Sequence, residues 1–136
     1  MVIDTSALLA IFLNEPERQL FLNHIVQAES RSISAATLVE AGIVLEARLG
    51  DDAGRELDLF LYRAAIQIIP VDADQAAIAR AAWRKFGKGR HPAALNLGDC
   101  FSYALAQATG EALLAKGSDF PQTGLPLVDL SSASSR

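Results

Sequence analysis

At 136 residues, with 51% hydrophobic and 21% charged side chains, the chain has the size and composition of one compact domain and is too apolar to be disordered throughout. No window reaches the roughly 18 uninterrupted apolar residues of a membrane span, and the first apolar run lacks a basic leader and is broken by Asp4, so a cytoplasmic protein without membrane span or signal peptide is expected. A net charge of −4 disfavours a nucleic-acid partner at first sight, the lone Cys100 excludes an internal disulfide, and two histidines, His24 and His91, exclude a three-histidine zinc site.

In chain order, Met1 to Asp4 reads as a short buried strand and Ser6 to Leu13 as a helix. Asn14-Glu15-Pro16-Glu17 combines a capping residue, an early proline and a glutamate three after the cap, which predicts a helix to about Glu29. Ser32 to Ser34 is a short strand, and Ala35 to Leu49 a helix stopped by Gly50. A helix from Asp52 to Ala65 leads into the β-branched run Ile66 to Val71, a strand. Asp72 and Gln75 form a cap-like box that opens a helix to Phe86, and Gly87 to Pro92 is a loop. Leu97 to Thr109 reads as a helix, Ala112 to Lys116 as a strand, Gly117 to Gly124 as a turn and Leu125 to Leu130 as a last strand. Strands alternating with helices predict a mainly parallel sheet covered on both faces, in a single domain over residues 1–130. Residues 131–136, small and polar, are expected to fray as a disordered tail.

Ligands of an open parallel sheet bind outside the carboxyl ends of its strands. Asp4 follows the first strand directly, Asp119 lies three residues beyond Lys116 at the end of another, Asp99 begins a helix, and Glu40 lies in the first turns of one. Each has a plainer reading that stands beside the functional one. Asp4 suits an N-cap, Asp99 suits the third position after a capping Asn96, and Asp119 suits a solvated turn. Glu40 has Ala36, Thr37, Ile43 and Val44 as helical neighbours and no local base, so its carboxylate needs a partner elsewhere. Glu46 has equally apolar neighbours, and this criterion alone does not separate the two. Asp72 reads as a plain cap, and Glu15, Glu17, Asp51 and Asp52 as acids of first turns.

Energetics sets what a cluster of four would require. Two like charges about 5 Å apart repel by roughly 3 kcal/mol at an effective dielectric near 20, and the six pairs among four carboxylates by up to about 20 kcal/mol. That exceeds the stability of most domains, so such a cluster must bind cations or protons. With only oxygen ligands on offer, hard Mg2+ or Mn2+ fits better than zinc, and the corresponding chemistry is phosphodiester hydrolysis. Setting these four aside leaves 12 acids against 12 Lys and Arg, so overall acidity does not exclude a nucleic-acid substrate. The run Arg84, Lys85, Lys88, Arg90 and His91 reads either as a solvated helix end or, beside an acidic site, as a contact for the RNA backbone.

Asp4-Thr5-Ser6, Glu40 in Thr37-Leu38-Val39-Glu40, Phe86-Gly87-Lys88-Gly89-Arg90-His91-Pro92, Asn96-Leu97-Gly98-Asp99-Cys100 and Leu114-Ala115-Lys116-Gly117-Ser118-Asp119-Phe120 occur in an order and spacing that resemble the PIN domains, specifically the VapC toxins of bacterial type II toxin–antitoxin modules. The resemblance covers residue 1 to about 130. It implies a three-layer α/β/α sandwich with a short, mainly parallel central sheet, and a Mg2+-dependent endoribonuclease, with Mn2+ as a substitute, that halts growth when freed from its antitoxin. It also implies a homodimer and a VapB-type antitoxin as partner. Carried over by position, Asp4 and Asp99 would be the principal metal ligands, Glu40 would complete the acidic triad, and Asp119 would be a fourth acid. The family often places a second acid where this chain has Ser118. Thr5, Ser6 and Asn96 would hold the carboxylates or contact substrate. Three other readings compete. A signalling receiver requires an adjacent acidic pair after the first strand and a phosphoacceptor after the third. A haloacid-dehalogenase-like phosphatase requires Asp-x-Asp, where position 6 is serine, and a PIN fold without catalysis would only bind RNA or protein.

Overall fold

Val2 and Ile3 form β1 because an apolar, β-branched pair can be buried on both faces of a sheet, and both are fully buried. The computed structural model describes residues 1–132, in which β1 is followed by α1 (Thr5–Phe12), α2 (Arg18–Gln27), β2 (Ser32–Ser34), α3 (Ala35–Leu49), α4 (Asp52–Arg63), β3 (Gln67–Ile69), α5 (Ala73–Phe86), α6 (Leu97–Thr109) and β4 (Leu113–Leu114). The strands are parallel in the order β3-β2-β1-β4, with Val2 opposite both Ser32 and Leu113. Alternation along the pleat divides the core. Ile3, Ile33 and Leu114 pack against α1 to α4, whereas Val2 and Leu113 pack against α5 and α6. Each such side chain contributes about 1.5–3 kcal/mol of burial. The result is the α/β/α sandwich expected from the alternation of elements.

Local signals place the helix ends. Ser34 caps α3 by accepting from Ala36 N–H, Gly50 stops it at φ 98°, and Asp72 Oδ1 accepts from Gln75 N–H at 2.8 Å to open α5. Three expectations change. Asn14 does not cap α2. It sits in the left-handed region at φ 53°, and α2 begins at Arg18 behind Glu17, which makes no side-chain cap bond. Lys116 Nζ holds that connection, 2.9 Å from both Glu15 Oε1 and Glu17 Oε2, so these two acids are ion-pair partners rather than helix-dipole acids. The run Leu125 to Leu130 is no strand beyond one parallel bridge from Leu127 to Leu113, because Pro126 has no N–H to extend a ladder. Leu130–Ser132 forms a 3-10 turn, and positions 133–136 of the expected tail lie outside the described residues. Among the described residues no helix is long and apolar enough to cross a membrane.

Candidate active site

From β1 the chain builds outward to β2 and β3 on one side, then returns to set β4 on the other, so the direction of winding reverses between β1 and β4. Such a switch point leaves a crevice at the carboxyl ends of the two strands. Asp4 stands there, 3% exposed, its N–H donating to Leu114 O at 3.0 Å.

The capping reading of Asp4 holds, and the same carboxylate is also gripped by two hydroxyls. Its Oδ2 accepts from Ser6 N–H at 3.0 Å, which caps α1, and from Ser6 Oγ at 2.7 Å, while Oδ1 accepts from Ser102 Oγ at 2.5 Å. The protons have fixed directions. Ser6 Oγ accepts from Lys116 N–H at 2.8 Å, so its own hydrogen points to Asp4. Ser102 gives its only hydrogen to Asp4, so Thr37 Oγ1, 3.3 Å from Ser102 Oγ, must be the donor in that contact. Each carboxylate oxygen offers about two acceptor positions; Oδ2 uses both and Oδ1 keeps one open.

Ser102 and Thr37 are the residues that sequence reasoning missed as part of the site; their exposures are 0% and 1%. Ser102 lies one turn after Asp99 on α6 and Thr37 one turn before Glu40 on α3, so a hydroxyl at helical spacing from an acid was the signal available. Ser102→Ala is expected to lower the unfolding free energy by about 1–3 kcal/mol, because Thr37 loses its acceptor and Asp4 one donor in a dry environment. Urea denaturation checks this, and an unchanged midpoint would show that the chain carries no stability.

Glu40 projects half-buried from the second turn of α3, and its Oε1 accepts from Thr5 Oγ1 at 2.5 Å. Its carboxylate lies flat against Gly98, where any Cβ would collide with it. Gly98 therefore gives Glu40 its place beside the start of α6. Glu46, indistinguishable from Glu40 by sequence neighbours, is exposed and lies over Gly54 on α4.

Asp99 occupies the third position of α6 in a reciprocal capping box: its N–H donates to Asn96 Oδ1 at 2.9 Å, and its Oδ2 accepts from Asn96 N–H at 3.0 Å. That geometry would ordinarily hold a carboxyl low. Instead Asp99 is pushed up to about 6, first by burial, against the Asn96 bond, and then by the charges of Asp4, Asp119 and Glu40. Asp119 is exposed at the start of a 3-10 turn, where its carbonyl accepts from Gln122 N–H at 3.2 Å and its side chain caps nothing. The other three sequence-predicted acids thus all bear on this one carboxyl. The donor set is oxygen only and under-neutralised, which fits a hard divalent cation. Among the described residues no three carboxylates form a ready coordinating group.

The PIN domain profile matches residues 1–125. A ribonuclease VapC of Mycolicibacterium smegmatis is 52% identical over 128 residues, covering 94% of this chain and 99% of that protein. Ribonuclease VapC30 of Mycobacterium tuberculosis is 52% identical over 130 residues, with 96% and 99% covered. The chain belongs to the PIN-domain family, among the VapC ribonucleases. Solved structures agree on the fold. Mycobacterium tuberculosis VapC20, described as a sarcin-ricin loop cleaving toxin, superposes with a TM-score of 0.76 at 20% identity over 93% of this chain and 97% of that one. A toxin–antitoxin complex from Klebsiella pneumoniae gives 0.71 at 21% identity, with 95% and 96% covered.

Around this PIN site the predicted basic run divides. Arg84 and Arg90 line a cleft between α5 and α6 together with Arg80, a residue outside the predicted set. Lys85 Nζ instead lies 5.1 Å from the Phe86 ring centre, and Lys88 projects from the following loop. Among the described residues none of these five cations forms an ion pair with a carboxylate. His91 serves its loop, stacking edge-on against Phe86 while its Nδ1 accepts from Ala93 N–H. Cys100 is buried, and burial followed by the Asp99 charge pushes its thiol up, away from nucleophilic use. The receiver alternative loses its geometry here: β3 is an edge strand, and Asp72 beyond it is spent capping α5.

Proposed function

We propose that this protein is the toxin of a VapBC-type toxin–antitoxin module and acts as a Mg2+-dependent endoribonuclease. The observation that carries the reading is the placement of three acids at the switch point of the sheet: Asp4 at the end of β1 is bonded to Ser102 of α6, the Glu40 carboxylate lies against Gly98, and Asp99 follows Gly98 directly in the first turn of α6. Asp4, Glu40 and Asp99 would hold the ion, with Asp119 as an outer acid. A bound Mg2+ or Mn2+ supplies a water of lowered pKa and neutralises charge on a phosphate oxygen.

This chain's own groups have separable tasks. Ser6 and Ser102 orient Asp4, Thr5 orients Glu40, and Asn96 holds Asp99, so the ligands are set on rigid helix starts before an ion arrives. The positive N-terminal ends of α1 and α6 moderate the repulsion among the acids. Arg84 and Arg90, with Lys85 and Lys88 farther out, attract the phosphodiester backbone with a salt-dependent affinity. Restraint by a VapB-type antitoxin and pairing of two copies are part of the same reading. Apolar groups left in water on α3 and α4, Val39 at 61%, Ile43 at 64% and Tyr62 at 84% exposed, support a protein partner.

Purified protein freed of antitoxin is expected to cut RNA internally with Mg2+ or Mn2+ and not in EDTA, and its expression alone to slow growth. No cutting with either ion and no growth defect would leave only the non-catalytic PIN reading.

A further inference from the structure

We propose that the cleft between α5 and α6 is a stacking subsite for an unpaired nucleobase of the RNA strand, next to the acidic site; this rests on the reading of RNA as substrate. The cleft has a volume of about 660 Å³, within the range of about 300–1,000 Å³ usual for pockets that enclose small organic groups. Its walls are Trp83 on α5 and Leu97 and Phe101 on α6, its rim carries Arg80, Arg84 and Arg90, and small residues such as Ala79 keep its floor low.

Three features identify the occupant. First, large apolar groups are left facing water, Trp83 at 42% and Leu97 at 75% exposed, beside cations with no carboxylate partner among the described residues. A flat apolar body joined to an anion satisfies both, and a nucleotide is such a body. Second, the Trp83 wall is pre-set. Its indole edge packs onto Gly87, where a Cβ would strike it, and the Arg90 guanidinium lies 4.5 Å over the ring centre. Third, the cleft is continuous with the catalytic groove. Leu97 and Phe101, one turn apart on α6, are shared with a second depression that holds Glu40, Asn96 and Gly98. A strand with a phosphate at the acids crosses this ridge and places a neighbouring base in the cleft. Bases inside a duplex are stacked on one another and cannot enter, so the cleft selects single-stranded segments.

Trp83 is the only tryptophan of the chain, so its emission reads the cleft directly. The metal-free protein in EDTA would be titrated with a short unpaired RNA oligonucleotide, with the same strand annealed to its complement, and with inorganic polyphosphate. The unpaired strand is expected to quench Trp83 at about tenfold lower concentration than the duplex, and polyphosphate to leave it unchanged. By anisotropy of the labelled strand, Trp83→Phe should retain most of the affinity and Trp83→Leu should lose about tenfold, both variants showing wild-type circular dichroism. Equal quenching by all three ligands, or wild-type binding by a folded Trp83→Leu, overturns the proposal. So does quenching by the co-expressed antitoxin with RNA silent, which would assign the cleft to a protein partner. Trp83-dependent binding without any Mg2+-dependent cutting would leave the cleft standing and overturn the ribonuclease reading; cutting with no response at Trp83 does the reverse.

Discussion

Asp4→Asn and Asp99→Asn are each expected to lower Mg2+-dependent RNA cleavage by at least about 10³-fold, since a metal ion contributes several kcal/mol to the transition state and each 1.36 kcal/mol is a factor of ten. Both variants should still fold. At position 4 the amide oxygen can accept the two Ser6 bonds, while the amide NH2 faces Ser102. The Ser102 hydroxyl then turns to donate to Thr37, and the hydroxyl chain reverses without losing a bond. At position 99 the amide oxygen still accepts from Asn96 N–H and keeps the capping box. The assay is single-turnover cleavage of a labelled RNA by variants whose circular dichroism matches wild type. A folded Asp4→Asn protein cutting at the wild-type rate would remove Asp4 from the ligand set.

Asp99→Asn is also expected to stabilise the metal-free protein, and only above about pH 4. The folded-state value of Asp99, about 6 against an ordinary 3.8, means that its carboxyl favours the protonated form in the native protein. A carboxyl raised in this way contributes stability that is fully present below about pH 4 and lost as pH rises through about 6. The whole shift corresponds to about 3 kcal/mol, which solvent screening of this partly exposed group reduces to roughly 1–2 kcal/mol. Thermal melts in EDTA from pH 4 to 8 should show the variant pulling ahead of wild type across that window; parallel curves would mean that neither burial nor the neighbouring acids raise this carboxyl. Added Mg2+ should close or invert the gap at neutral pH, because wild type gains ligand-linked stability of about 2.7 kcal/mol at a hundred times Kd and the variant gains far less. Protons and the cation compete for this carboxyl, so metal affinity should rise with pH through about 6.

Much of the fold was legible because its signals are local. The bounds of α3 and α6 follow from Ser34 and Gly50, and from Asn96, Asp99 and Gly110, each acting within one helical turn of the end it sets. The signals failed where a distant contact overrode them. Lys116, about a hundred positions away in the chain, holds Glu15 and Glu17 and sets the entry to α2 in place of an Asn14 cap. Two-residue β4 offers Leu127 a single bridge, whatever the strand propensity of the last apolar run.

The site divides along the same line. Sequence by itself singled out the four acids as candidates, since a carboxylate after a buried strand, or among apolar helical neighbours, already signals an unmet electrostatic demand, and their order carries the family. Only the tertiary structure decided how they are held. The bond from Ser102 to Asp4 spans 98 residues and the Thr37 contact behind it 65, and nothing in either local stretch requires a partner so far away. The structure likewise separated Glu40 from Glu46, through Thr5 and Gly98, and joined Arg80 and Trp83 of α5 to Phe101 of α6 in one cleft. Helix periodicity predicts which face a side chain occupies; which face it meets depends on how the parallel sheet is wound, and that winding is a property of the whole chain.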